Sequence, residues 1–438
     1  MPVLNPSIRP VPLSPTLAIN EAIARRRRDG MPALALGFGE AGIPVHPSLT
    51  RELSAAAGRG GYGPVAGSAA LRAAAAGYWT RRGLPTDPGL VLCGPGSKPL
   101  LYALMTAIGG EIAIPTPSWV SYAAQASLTG AGAVPVATAP GEGGVPSPAL
   151  LADAVVRARA AGRRIRAVVV TLPDNPTGTL APEATVRRLC AVARQHDLVI
   201  ISDEIYRDLM HDPGRPVPSP AAYAPERTVV TTGLSKSLAA GGWRLGVARM
   251  PDGPFGPALR DAVLGIASEI WSAAPAPVQH AAAYAFGEPD ELVEHIDRSR
   301  RLHAAVTAAV ADRFAEAGAR VRRPEAAFYA YPDFDPLRAH LREAHGVTTG
   351  AELTTLLLER YGMGVLPASA FGEPGDALRM RVATSLLYGE NDEQRRAALM
   401  DPDPAALPWI ASGLDRISEI LDDLKAASGH TLTTALAG

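Results

Sequence analysis

Two patterns in the 438-residue chain predict an α/β protein with a large domain on a mostly parallel sheet and a smaller α+β domain. The first begins near Val91, where seven short apolar runs alternate with Ala/Leu-rich stretches: "LVLCG", "EIAIPTP", "AVPVAT", "IRAVVVTLP", "DLVIISDE", "TVVTTG" and "RLGVARM". Runs rich in Val and Ile without polar alternation are covered on both faces, so most should pair in one largely parallel sheet. The windows "GSKPLLYALMTAIG" and "PEATVRRLCAVARQHD" fall between runs, as crossover helices do. The second pattern starts after about Pro289, where a long charged helix leads to "AAFYAYPDF", "GMGVLP", "LRMRVATS" and a final helix "LDRISEILDDLKAA". The expected divisions are an N-terminal arm with part of the small domain over 1–45, a large domain over 46–295 and a small C-terminal domain over 296–438. The run Arg25 to Arg28 reads as the solvated end of an N-terminal helix stopped by Asp29-Gly30.

Lys plus Arg (42) nearly cancel Asp plus Glu (43), so no general field draws the chain to nucleic acid or to an anionic membrane, and a small-molecule partner is expected. Apolar residues make up 47% of the chain, ample for a core, yet no apolar stretch approaches the roughly 20 residues of a membrane span. Cys93 and Cys190 are too few for a disulfide framework, and the opening "MPVLNPSIRPVPLSPT" has no apolar signal region, which reads as a reduced, cytoplasmic protein. His46, His196, His211 and His280 show no mutual metal spacing, so no metal is expected.

In open parallel sheets the ligand lies outside the carboxyl ends of the strands, so polar residues that follow apolar runs are the candidate site. Four places qualify. Gly94-Pro95-Gly96-Ser97-Lys98 is a glycine-rich turn opening a helix, which offers backbone N–H groups to a phosphate, although the spacing of a P-loop fails. Asp174-Asn175-Pro176-Thr177-Gly178 follows "AVVVTLP" as a turn. Asp203, in "SDEIY", implies a fixed positive partner if it is ionised at the end of a buried strand, with a helix cap as the competing account. Lys236, in "TGLSKSLAAGGWRLG", carries an ammonium that is costly at the end of "TVVTTG" unless deprotonated, paired or covalently engaged. Pyridoxal 5'-phosphate satisfies all four: Lys236 forms the Schiff base, Asp203 pairs with the pyridinium, and the turn holds the phosphate.

These motifs resemble the class I/II, fold-type I aminotransferases, in order from about Ser14 to the end of the chain. "GYGPVAGSAALRAA" resembles the family's tyrosine-bearing segment, "GPGSKPLL" its phosphate turn, "PTPSWVSY" its ring-stacking aromatic and "PDNPTG" its asparagine turn. "SDEIY" is similar to its aspartate and tyrosine, "SKSLAAGGWRLG" to its lysine and phosphate arginine, and "LRMRVATS" to its substrate arginine. The resemblance implies a seven-stranded sheet in the large domain. It implies that Trp119 stacks on the cofactor ring, that Asn175 and Tyr206 hydrogen-bond the ring oxygen, and that Gly96, Ser97, Lys98 (through its backbone), Ser235 and Arg244 surround the phosphate. Tyr62 resembles the tyrosine that reaches the cofactor phosphate of a neighbouring subunit, which implies a homodimer with shared sites. Gly39 resembles a backbone position near the substrate carboxylate, Asn175 borders the substrate, and Arg379 resembles the arginine that grips that carboxylate.

The implied activity is transfer of an amino group between an amino acid and a 2-oxo acid by a ping-pong mechanism, with Lys236 as anchor and proton carrier, Asp203 as the electrostatic partner and Tyr206 assisting. A lyase or synthase of the same fold, resembling the 1-aminocyclopropane-1-carboxylate synthases, is the alternative. An effector-binding domain like that of aminotransferase-like transcription regulators is the third reading, and the dozen residues before the resemblance leave no room for its DNA-binding module. The chain departs from the family pattern after Glu40, where Ala41-Gly42 replace the usual proline, and at Arg381, where a small polar residue is common. Extra residues around Leu337 to Gly350 and Glu390 to Pro408 enlarge the small unit. Phe38, Trp271 and Tyr329 are expected to form an apolar wall of the substrate pocket.

Overall fold

The computed structural model describes residues 13–426. All seven apolar runs form one sheet, in the spatial order Val91–Gly94, Gly246–Arg249, Thr228–Gly233, Val199–Asp203, Ile165–Thr171, Glu111–Thr116 and Ala133–Ala137. Gly246–Arg249 alone runs against both of its neighbours; the remaining pairings are parallel. Covering both faces explains the unbroken apolar runs. Along Ile165–Thr171, Val168 and Val170 join a core with Val155, Leu189 and Ala193 of helices Pro148–Ala160 and Glu183–His196. Ala167 and Val169 point the other way, against Leu101, Leu104 and Leu259 of helices Ser97–Ile108 and Phe255–Ile270.

Register brings three polar strand ends into line. Thr171 sits opposite Asp203, and Asp203 opposite Thr231, so the carboxyl ends of the central strands present their side chains at one level. Two glycine-permitted turns hold that level. Thr171 donates its N–H to the carbonyl of Gly144 at 2.8 Å, and Gly144 has φ +75°, with the Thr171 carbonyl where a Cβ would stand. Gly246 lies opposite both Gly94 and Gly233, and a Cβ there would press on Gly96 and the N–H of Ser97.

The smaller unit has a three-stranded antiparallel sheet in the order Leu366–Pro367, Met380–Ala383, Tyr329–Ala330. The N-terminal segment belongs with it. Leu34–Ala35 pairs in parallel with Met363–Gly364, and Leu36, Ala41 and Ile43 join the core that contains Val382 and Leu421. The arginine run ends helix Pro15–Arg28 at Asp29, as its spacing predicts. Helix Asp290–Glu316 runs through the expected boundary at residue 295: Leu292 packs in the large unit's core, and Leu302 to Phe314 in the small one's. The segments around 337–350 and 390–408 hold the helices Arg338–His345 and Asp392–Met400.

Gly144→Ala should destabilise the protein by about 1–3 kcal/mol, because the new Cβ meets the Thr171 carbonyl in a backbone conformation that L residues rarely adopt. A urea midpoint equal to that of the parent would show that this turn does not hold the strand end.

Candidate active site

A cavity of about 610 Å³ opens where the central strands end, between the sheet and the small unit. Lys236 enters it three residues after strand Thr228–Gly233 and donates from Nζ to the carbonyl of Gly39. Burial, reinforced by the nearby Arg381 guanidinium, pushes its pKa down to about 8, so a substantial neutral fraction exists near neutral pH. Gly39 is required to be small: a Cβ there would strike the hydroxyl of Tyr329.

Asp203 is only 3% exposed. Its carboxylate accepts from the Tyr122 hydroxyl at 2.8 Å and from Thr231 Oγ1 at 3.4 Å. Those donors favour the ionised form, but burial outweighs them and raises the pKa to about 6. No side-chain cation pairs with it directly among the described residues.

The opposite wall is a hydrogen-bonded relay. Arg381, 1% exposed, donates from Nη1 to Asn175 Oδ1 at 3.0 Å and from Nη2 to the Gly37 carbonyl at 2.6 Å. Asn175 Nδ2 in turn lies 3.4 Å from the Tyr206 hydroxyl, which is 2.8 Å from that of Tyr329. The guanidinium rests between the rings of Tyr329 and Phe371, at 4.9 and 5.0 Å, and its Nε is buried without a partner.

The third side is the anion cradle. Helix Ser97–Ile108 starts at the cavity edge, and Gly96 before it has φ +97°. Arg244, in the left-handed conformation, lies where a Cβ on Gly96 would stand, so the missing side chain is what lets the guanidinium approach the turn. Ser97, Ser235 and Arg244 border the same space, with the helix N-terminus adding its positive end. Trp119 covers the cavity edge-on to Tyr122, centroids 5.2 Å apart, and Lys98 Nζ lies 5.1 Å from the Trp119 ring.

The structure thus brings together Gly39, Ser97, Lys98, Trp119, Asn175, Asp203, Tyr206, Ser235, Lys236 and Arg244, with Gly96 directly behind the cradle. Tyr62 is 96% exposed and does not line this chain's cavity. Phe38 and Tyr329 line the cavity, but Trp271 does not; it packs beside Gly94 in the core under the sheet.

Arg379 requires a correction. Its side chain is 40% exposed, outside the cavity, and pairs with Glu373 at 2.7 Å and Asp333 at 3.3 Å. The ladder runs in one register from Ala383↔Tyr329 to Arg379↔Asp333, so Arg379 and Arg381 do share a face. Two residues along a strand amount to about 7 Å, however, and that step carries Arg379 past the cavity to the rim carboxylates. Arg381 is the arginine inside.

Sequence reading also missed Tyr122, the hydroxyl partner of Asp203, and the hydroxyl of Tyr329. Tyr122 stands three residues after Trp119 in "SWVSY", in the first turn of helix Ser121–Leu128, and donates its N–H to the Trp119 carbonyl at 3.1 Å.

The donor set fits pyridoxal 5'-phosphate. A buried carboxylate lacks a cation, an amine with lowered pKa faces it across the cavity, and a glycine-spaced helix start with an arginine lacks an anion. In the chain without cofactor, Asp203 has a folded pKa of about 6, above its ordinary value of 3.8. Its neutral form is therefore the favourable one: the contribution is full below about pH 4 and is lost as pH rises through 6. Asp203→Asn should accordingly raise the stability of the cofactor-free protein at pH 8 by about 1–3 kcal/mol, with no gain at pH 4. Thermal melts of both apoproteins at the two pH values check this, and equal shifts at both would refute the buried unpaired carboxylate.

Comparison with known proteins agrees with this site. The family description "Aminotransferase class I and II" matches residues 40–387. The chain is 31% identical over 402 residues to a probable aspartate/prephenate aminotransferase of Thermus aquaticus, covering 90% of this chain and 97% of that one. It is 31% identical over 385 residues to an aspartate aminotransferase of Geobacillus stearothermophilus, covering 85% and 92%. Among solved structures, the Thermus thermophilus aspartate aminotransferase with maleate superposes with a TM-score of 0.79 at 26% identity, over 96% of this chain and all 100% of that one. These relatives are aminotransferases, which supports transamination over the lyase alternative. With Lys236, Asp203 and the glycine-spaced phosphate cradle gathered at the strand ends, the chain belongs to the class I and II aminotransferases and is a pyridoxal 5'-phosphate-dependent enzyme of fold type I.

Proposed function

We propose that the enzyme takes the amino group from an acidic amino acid, that Arg381 binds the substrate α-carboxylate, and that Lys98 meets the second carboxylate. The observation that carries this reading is the ammonium of Lys98. Of the four cations on the cavity, Arg244 belongs to the phosphate cradle, Lys236 to the cofactor aldehyde and Arg381 to the wall beside Asn175. Lys98 Nζ is left over the Trp119 ring with no ion pair or side-chain hydrogen bond among the described residues. Burial and Arg244 both lower its pKa, so a carboxylate there relieves an unfavourable charge. Relatives named as aspartate aminotransferases support the same substrate class.

When bound, pyridoxal 5'-phosphate supplies an aldehyde that holds the amino group and a protonated ring that takes up the electrons of the substrate Cα–H bond. Asp203 supports that positive ring, held ionised by Tyr122 and Thr231. Lys236 would move the proton between substrate Cα and cofactor C4', because a pKa lowered to about 8 leaves part of its amine neutral at slightly alkaline pH. Asn175 and Tyr206 orient the ring oxygen, and Arg381 fixes the substrate so that the Cα–H bond faces Lys236. One site serves both half-reactions, which gives ping-pong kinetics.

The working unit in this reading is a homodimer in which Tyr62 completes the partner's phosphate cradle; its 96% exposure in the single chain is what such a role requires. The free, buried Cys93 and Cys190 support a reduced cytoplasmic setting, and no helix among the described residues is long and apolar enough to cross a membrane.

Arg381→Leu should lower kcat/KM roughly 30- to 5,000-fold for every amino donor, since it removes one partner of a desolvated charge pair. Arg379→Leu should change it less than about tenfold, as expected of a rim ion pair. Lys98→Ala should cost about 10- to 100-fold with aspartate and glutamate but little with alanine or phenylalanine. Single-turnover measurements with those four donors check all three variants, and an equal loss at Lys98→Ala for every donor would remove the acidic-substrate reading.

Mixing Tyr62→Phe with an inactive Lys236→Ala parent should yield hybrid dimers in which one class of site carries both defects and the other neither. The mixture should then be more active than the sum of its parents. Full activity in a demonstrably monomeric preparation would remove the shared site.

A further inference from the structure

A second cavity, of about 630 Å³, lies at the amino ends of the parallel strands, on the far side of the sheet edge from Lys236. The seven residues of Ile165–Thr171 span the separation, about 20 Å. Its volume is that of a small-molecule pocket. Among the described residues five arginines line it, Arg159, Arg163, Arg164, Arg166 and Arg227, with the acids Glu226 and Asp197. Arg163 is paired with Glu111 at 2.6 Å, and Arg227 with Glu226 at 3.0 Å and Asp197 at 3.5 Å. Arg159, Arg164 and Arg166 make no ion pair among the described residues. Three solvent-exposed guanidiniums without an ion pair border one cavity, in a chain whose 42 basic and 43 acidic residues nearly cancel.

Helix polarity favours cations at this end of the sheet. Arg159 sits in the last turn of Pro148–Ala160, where cations complement the carbonyl end. Arg164 and Arg166 flank the first residue of strand Ile165–Thr171, and the helices Ser97–Ile108 and Glu183–His196 also end on this cavity, at Ile108 and His196. Arg166 is moreover given room: Gly110, at φ +65°, leaves open the space that a Cβ would take from the Arg166 side-chain stem. The floor is apolar, formed by Ile108, Leu259, Ala258 and Ala262, with Phe255 at its edge still 38% exposed.

From this arrangement we infer a second ligand site that takes a nucleoside polyphosphate: the phosphates on Arg159, Arg164 and Arg166, the apolar and aromatic body on Phe255 and the adjoining helix face. Planar forks suit phosphate oxygens bidentately, and an exposed phenyl ring over an apolar floor offers a stacking surface. The site is separate from the cofactor's phosphate cradle, which lies at the opposite ends of the same strands.

Calorimetric titration of the cofactor-loaded enzyme at low salt tests it, with magnesium-free ATP, pyrophosphate and adenosine as probes. ATP should bind saturably, pyrophosphate more weakly and adenosine not measurably. The double variant Arg164→Ser/Arg166→Ser should weaken ATP at least about tenfold and Arg159→Ser severalfold, with transaminase activity unchanged in both. Arg157→Ser, on the same helix but outside the cavity, should bind as the parent does. Absence of saturable ATP binding, equal affinity for ATP and pyrophosphate, or an affinity indifferent to Arg164 and Arg166 would each overturn the inference.

Discussion

Asp203 carries its charge at a depth where burial penalises it, and no side-chain cation pairs with it directly among the described residues. Tyr122, Thr231 and a backbone N–H stabilise the carboxylate, yet burial still raises its pKa to about 6. The missing cation is the ring of the cofactor, so the apoprotein holds an unfavourable charge that cofactor binding offsets. The strands exist in the right register to make that arrangement: Thr171, Asp203 and Thr231 stand side by side because their strands are parallel neighbours. Tyr122 is tied to the same point by its second contact, 2.9 Å to Thr171 Oγ1. The sheet register and the helix after Trp119 therefore meet at one buried carboxylate, to which the electron-accepting chemistry is assigned.

Residues that lie next to their strands in sequence were legible; residues recruited from elsewhere were less so. Lys236, Asp203 and Asn175 each follow an apolar run by a few positions, and the rule that ligands sit beyond strand ends reaches them directly. The relay that orients them is tertiary. Arg381 meets Asn175 across 206 positions of sequence, and Tyr329 meets Tyr206 across 123. No local pattern announces such pairs. The choice between Arg379 and Arg381 shows the limit most plainly: alternation places both on one face, but only packing reveals that the cavity ends between them.

The N-terminal segment shows the same limit in backbone form. Gly37, Gly39 and Gly42 are close in sequence, yet what each must clear comes from distant chain: Ile19 for Gly37, Tyr329 for Gly39 and the Ser385 carbonyl for Gly42. Within the Ala41-Gly42 departure, Gly42 has φ +68°, a conformation that favours glycine, and the Ser385 carbonyl stands where its Cβ would be. The loop that carries the Gly39 carbonyl to Lys236 is thus shaped by the small unit against which it packs.

Charge coupling inside the cavity joins substrate recognition to proton transfer. Arg381 is the largest nearby charge lowering the Lys236 pKa, while Glu40 and Asp203 oppose it. In the proposed reading, a substrate carboxylate on Arg381 would neutralise that field and so relax part of the depression on Lys236. The amine then becomes a stronger base when a correctly held substrate is present. A molecule with an amine but no α-carboxylate leaves Arg381 uncompensated and Lys236 weakly basic. On the proposed binding of the α-carboxylate by Arg381, discrimination for amino acids over simple amines would have two sources in the same guanidinium: the grip on the carboxylate, and the basicity that this grip would return to the lysine.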